Sequence, residues 1–338
     1  MAMTLANETL PLATAALHPD WPEARFNVSG MFTHHRLVIE LLHIVEQALD
    51  CHIPIESIHG APAVLWNAGR PSGVPFNPAG LKDILNALYS KNVGYYPTFT
   101  NHLLDTADLK DSRSNYILDA ISERPDLNGV IVTSDLLSKY IADKYPSLRQ
   151  VASIVKVTFD HGQGRPDYYR ELAQRFCRYV VHPDDCRNLE LLNQLDRDKA
   201  EIIVNENCAV QCPQRAHHYD VYARWQKTVC AGQSTIPLNS ISPATERRFI
   251  EQEMNQIMSR CQAPLDLECL TKRKRSCYLS RSEMKAIYAM GFRHFKLQGR
   301  ADNPVLYAYD LVHFTIEPEL AAQLVLKTLL RRTLGTTR

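Results

Sequence analysis

"GVIVTSDLLSKYIADKYPSLRQVASIVKVT", residues 129–158, sets a β-branched run, a helical segment and a second β-branched run in direct succession. Residues 129–134 and 150–158 have the length and composition of buried strands. Residues 135–145 carry apolar side chains at three- and four-residue spacing, as a helix packed on one side requires. Strand, helix, strand in this order predicts two parallel strands joined by a crossover helix.

The same beat runs through the chain. Strands are predicted at 25–32, 55–61, 93–100, 129–134, 150–158, 178–183, 200–206 and 294–299, and helical stretches at 36–50, 77–91, 112–122, 135–145 and 167–176. Eight such units predict an α/β fold of the TIM type, a (β/α)8 barrel whose strands point their carboxyl ends at an active-site mouth. Several strands end there in polar residues, among them Asn101, Ser134, Asp135, His182, Asn205, Glu206 and Gln298. Ser134 and Asp135 also suit helix caps. Asn205 and Glu206 lead straight into cysteines and are the stronger functional candidates.

The beat breaks after the seventh strand. About 207–293 forms a cysteine-bearing excursion before the eighth, far longer than an ordinary barrel connection. Residues 1–24 read as a partly flexible lead-in without the basic start and apolar core of a signal peptide, and 25–338 as a single barrel domain. With 45% hydrophobic and 22% charged residues among 338, the composition is that of a globular protein with a sizeable core. No apolar stretch reaches the ~18 residues of a membrane span, so none is expected and the compartment is taken as the cytoplasm. A formal net charge of +1 gives no global reason for a nucleic-acid partner. The basic run Thr271–Arg275 reads as a solvated turn, with an RNA or acidic-cofactor contact as the alternative.

Nine cysteines are many for a reducing compartment, which points to metal or redox chemistry. Cys208 and Cys212 form a C-x3-C pair that can place two sulfurs on one metal centre. Cys230 follows 18 positions after Cys212 and Cys269 another 39 on, closing a four-thiolate set; Cys277 and Cys261 compete for the fourth place. Structural zinc sites favour two close pairs, whereas here the second half is scattered, which favours an iron–sulfur cluster and leaves zinc as the alternative. Cys51, Cys177 and Cys186 read as core or surface thiols. His217 and His218 are open between ligand, proton-transfer group and plain loop residue. Asn101, His218 and Arg300 are candidate substrate contacts. Lys156, on the predicted fifth strand, joins Asn205 and Glu206 as a catalytic candidate that could meet an anionic substrate.

"VNENC", "CPQRAHHY", "LECLTKRKR" and the closing "GFRHFKLQGR", with "NGVIVTSDLL" and "HPDD" earlier, together resemble the collagenase-like peptidase family U32 and its relatives over about residues 25–300. The resemblance points to the branch of iron–sulfur TIM-barrel proteins related to oxygen-independent hydroxylases. It implies a [4Fe-4S] cluster on Cys208, Cys212, Cys230 and Cys269 and a hydroxylation or other oxidative step on a small metabolite. The first cysteines are spaced differently from the best-known hydroxylase branches, and the extra C-terminal domain of some RNA-modifying relatives is absent. Three further readings stand beside this one: a non-catalytic, cluster-bearing subunit of a homologous or heteromeric pair; a peptidase, for which the chain carries no Ser-His-Asp order or HExxH helix; and an RNA-modifying enzyme.

Overall fold

All eight predicted runs form strands. The computed structural model describes residues 18–49, 52–69, 75–231, 243–261, 276–299 and 304–324. In chain order the strands are β1 (Arg25–Ser29), β2 (Ile55–His59), β3 (Gly94–Tyr96), β4 (Thr98–Phe99), β5 (Gly129–Val132), β6 (Arg149–Ala152), β7 (Arg178–Val180), β8 (Ala200–Ile203), β9 (Asn205–Ala209), β10 (Ser276–Tyr278) and β11 (His294–Leu297). All but β9 and β10 make one sheet, in the order β3-β2-β1-β11-β8-β7-β6-β5-β4, with every pairing parallel. The two ends of that order, β3 and β4, are halves of one extended run split at Pro97, which has no N–H to give a ladder. The Pro97 carbonyl accepts from Ile131 N at 3.0 Å, so the sheet closes on itself. The result is an eight-stranded parallel barrel.

The helices are α1 (His35–Leu49), α2 (Pro78–Tyr89), α3 (Ser112–Ser122), α4 (Asp135–Lys144), α5 (Ile154–Phe159), α6 (Pro166–Arg175), α7 (Leu189–Leu192), α8 (Arg215–Ala231), α9 (Pro243–Ser259), α10 (Arg281–Ala289) and α11 (Pro304–Thr315). Among the described residues no helix is long and apolar enough to cross a membrane.

Because side chains alternate along a strand, each strand serves two cores. Outward residues such as Phe26, Val28, Val130, Val132, Ile202 and Phe295 join the buried faces of the helices in one large cluster. Inward residues Tyr96, Ile131, Val151, Val180 and Ile203 form a second. The rest of the barrel interior is polar. A bulge between β1 and β2, with Phe26 opposite Ile55 and Asn27 opposite Ser57, leaves Glu56 as the extra residue. Arg178 grips Glu56 with two hydrogen bonds of 2.7 Å each.

Two expectations are corrected. The run 150–158 is not one strand: β6 ends at Ala152, and Ser153 caps α5 by accepting from Lys156 N at 3.1 Å. Lys156 therefore sits on a helix. The run 200–206 splits at Val204; β8 belongs to the barrel, whereas β9 leaves it and pairs antiparallel with β10, Ser276 opposite Ala209 and Tyr278 opposite Asn205. The N-terminal lead-in is packed from His18 onward: Trp21 is buried, stacks on His18 and donates Nε1–H to the Phe314 carbonyl at 2.8 Å.

Candidate functional site

At the carboxyl ends of the strands a cavity of about 220 Å3 opens. Its wall carries Ser29 and His59, the last residues of β1 and β2, with Thr98 and Thr100 around the end of β4, Ser153 beyond β6, and Lys296 and Gln298 at the end of β11. This is the active-site face of a (β/α)8 barrel. The far wall is α8, which contributes His218, Tyr219 and Tyr222.

The excursion thus returns a helix over the mouth, held there by several ties. Asn101 donates to the Ala223 carbonyl at 3.4 Å, His102 pairs with Asp220 at 3.3 Å, and Lys227 reaches Asp108 at 2.8 Å. Behind α8, α9 is locked on by Arg224, which donates twice to Glu253 at 2.9 Å, and by the packing of Val221, Ile250 and Ile257.

Lys296 stands at the cavity floor, 5% exposed. Its Nζ lies 3.6 Å from Glu201 Oε2 and makes no hydrogen bond among the described residues. Burial holds its pKa below the ordinary lysine value against the pull of Glu201. His59 is fully buried; burial first, and then the charge of Lys296, hold it far below the usual imidazole range. Its Nδ1 faces Asn27 Oδ1 at 2.8 Å. A neutral imidazole must donate to that oxygen, which leaves Nε2 as the acceptor. Sequence reasoning did not single out His59, Glu201 or Lys296.

The cysteines gather outside the mouth, just ahead of α8. The Cys208 and Cys212 thiols are in hydrogen-bonding contact, and burial first, then the neighbouring Cys208, raises the Cys212 pKa. Glu206 Oε1 accepts from Cys208 N at 2.8 Å and so shapes the turn. Beside the pair lies Arg215, buried and bonded to Asp184 at 2.6 and 3.2 Å, to the Ala209 carbonyl at 2.9 Å and to Cys277 Sγ at 3.5 Å. Cys277 donates to Asp184 at 3.2 Å, and burial pushes its thiol pKa up. His182, 3.1 Å from Arg215, is held down to about 4 by burial and then by Arg215.

Cys230 is not with them. It occupies the far end of α8, where it accepts from Gln226 Nε2 at 3.1 Å. At ~1.5 Å of rise per residue the helix carries it about 25 Å from Cys212, beyond the span of one cluster. Cys269 and Arg300 lie outside the described residues, as do Cys51 and the run Thr271–Arg275. Among the described residues no three His, Cys, Asp or Glu side chains converge so as to hold a metal ion. The described residues supply two adjacent thiols, not four.

The other candidates divide. His218 lines the cavity and stacks on Tyr222 at 4.9 Å. His217 points the other way, to Glu253 at 3.1 Å. Asn101 spends its side chain on the Leu65 and Ala223 carbonyls and on Leu103 N, so it positions α8 instead of lining the cavity. Asn205 clasps both backbone groups of Gln298 at 2.6 Å and reaches Asp310 at 3.1 Å, which fixes the end of β11. Lys156 is buried between Asp135 at 3.0 Å and Asp160 at 2.9 Å, outside the cavity wall. Cys186 is a buried core thiol, Cys177 is exposed, and Cys261 is partly exposed just past the end of α9.

No family model matches the chain, and no curated protein does. Among solved structures it is similar to the U32 peptidase Mk0906, with a TM-score of 0.48 and 12% sequence identity over 82% of this chain and 93% of that one.

Proposed function

We propose that the chain is a small-molecule enzyme whose substrate sits in the mouth cavity under α8, and that Cys208 and Cys212 begin a thiolate metal centre at the amino end of that helix. The contact between these two thiols carries the reading, because Cys212 stands six positions before His218 of the cavity wall. The charge of the buried Arg215 and the Gln214 backbone N–H at the helix amino end oppose the burial that raises the Cys212 pKa. Cys277, already at Arg215, and Cys269, seven positions before Ser276 of β10, are the third and fourth ligands in this reading. The centre is a [4Fe-4S] cluster, with zinc as the alternative, and a cluster would supply electron transfer beside the substrate.

The sequence motifs add a reaction class, an oxygen-independent oxidation or hydroxylation of a small metabolite. A cavity with several convergent polar groups, walled by the helix that follows the cysteines, is what an enzyme needs, whereas a purely structural subunit has no use for it. The test is the iron, zinc and acid-labile sulfide content of protein purified without oxygen. About four irons and four sulfides per chain are expected. Stoichiometric zinc without sulfide would replace the cluster by the alternative metal, and no metal at all would overturn the proposal.

A further inference from the structure

Three polar atoms on the cavity wall share one property: Lys296 Nζ, Ser29 Oγ and Thr100 Oγ1 are buried and make no hydrogen bond among the described residues. Burying the two hydroxyls without hydrogen bonds, and the amine with the Glu201 carboxylate no nearer than 3.6 Å, is costly, and the cost is recovered when a ligand pairs with them. The ligand must suit one amine among hydroxyls and imidazoles, because the described cavity wall carries no second lysine, no arginine and no carboxylate. A phosphate or dianion would call for several cations or a guanidinium fork. A small carbonyl compound needs what is present: one amine, hydroxyl donors for its oxygen, and a base.

We propose that Lys296 is the nucleophile of this cavity and forms an imine with a small aldehyde or ketone substrate. The inference rests on the cavity being the substrate site and adds the substrate's class. The Nζ lone pair attacks the carbonyl carbon; a C–N bond forms and the C=O π pair moves to oxygen. The nitrogen gives up a proton and the oxygen gains one, with His59 Nε2, the acceptor left by the Nδ1–Asn27 contact, as relay. Loss of the second nitrogen proton and departure of the protonated oxygen as water leave C=N, so amine and carbonyl yield imine and water without oxidant or reductant. Burial, which favours the neutral amine over the ammonium, holds the Lys296 pKa below that of an ordinary lysine, the direction imine chemistry needs.

The test incubates the whole protein at pH 7 with pyruvate, acetaldehyde or glyceraldehyde and sodium cyanoborohydride, and maps reduced adducts by peptide mass spectrometry. The expected result is an adduct on Lys296 that forms ahead of those on surface lysines and is lost in Lys296→Arg. Lys296→Met, which removes the charge with most of the volume kept, serves as the second variant if the arginine does not fold. His59→Asn should keep the adduct site and slow its formation by ~100-fold. Potassium cyanate, a small amine reagent, separates the outcomes. If no probe forms an adduct on Lys296 but pyruvate protects it from carbamylation, the imine is overturned and the cavity stands as a ligand site. If there is neither adduct nor protection, both readings fall.

Discussion

Acidification from pH 6.5 to 4 is expected to unfold the protein cooperatively. Three histidines, His18, His182 and His294, are held from 6.5 down to about 4, in each case first by burial. A histidine whose folded pKa is depressed contributes stability that is complete above its unfolded pKa. That stability drains away as pH falls, because the unfolded chain binds a proton that the folded chain refuses. Each group stands to contribute about 3 kcal/mol across the window, and three together rival the whole stability of a typical domain, about 5–15 kcal/mol. His59, fully buried and held lower still, pulls in the same direction. Urea midpoints at intervals from pH 7.5 to 4 measure this directly. A flat profile down to pH 4.5 would mean that the barrel admits these protons without opening.

The second large effect is expected from Arg215→Met. Arg215 and Asp184 are both nearly sealed from solvent, with side chains 6% and 5% exposed. Burial raises the Asp184 pKa, but the hydrogen bonds from Arg215 and from Gln211 N more than offset it and hold the carboxyl below its ordinary value. Removing the guanidinium strands that carboxylate, and breaking a buried pair from one side costs about 3–5 kcal/mol. The double variant Arg215→Met/Asp184→Asn should recover much of the loss. Stability from Asp184 in the wild type is complete above its unfolded pKa and lost as pH falls through the lower folded one; in Arg215→Met only the hydrogen bonds from Gln211 N and Cys277 oppose burial, so the folded pKa rises and that contribution shrinks. Thermal or urea unfolding of the two single variants and the double completes the cycle. A single variant within 1 kcal/mol of wild type, a threshold near the ~1 kcal/mol of an average substitution, would show that the pair is not sealed.

The barrel was legible because parallel strands buried on both faces make short β-branched runs, and helices between them keep a three- and four-residue period. What the runs conceal is where a strand ends. In "QVASIVKVT" apolar β-branched residues continue past Ala152, and Ser153, an N-cap residue type, was the one sign that a helix begins there. Lys156 was misplaced for that reason. Asn101 and Asn205 stand at strand ends as expected, but an amide with two donors and an acceptor is as useful for tying backbone together as for touching substrate.

The missed residues had a signal of their own. Asn27 and Ser29, Ser57 and His59, and His294 and Lys296 are polar at every second position of their strands, Glu56 being the extra residue of the bulge. Inside a closed barrel that alternation marks the lumen. Cys230 entered the ligand set because cysteine spacing was weighed without the helix between: seventeen residues of α8 hold the two ends apart as a rod would.

The most direct test compares metal bound per chain, after purification without oxygen, in Cys208→Ala and Cys230→Ala. The first variant should lose its metal and the second keep the wild-type content, because Cys208, and not Cys230, touches Cys212. Full metal in Cys208→Ala, or loss in Cys230→Ala with the fold intact, would contradict a centre built on the Cys208–Cys212 pair.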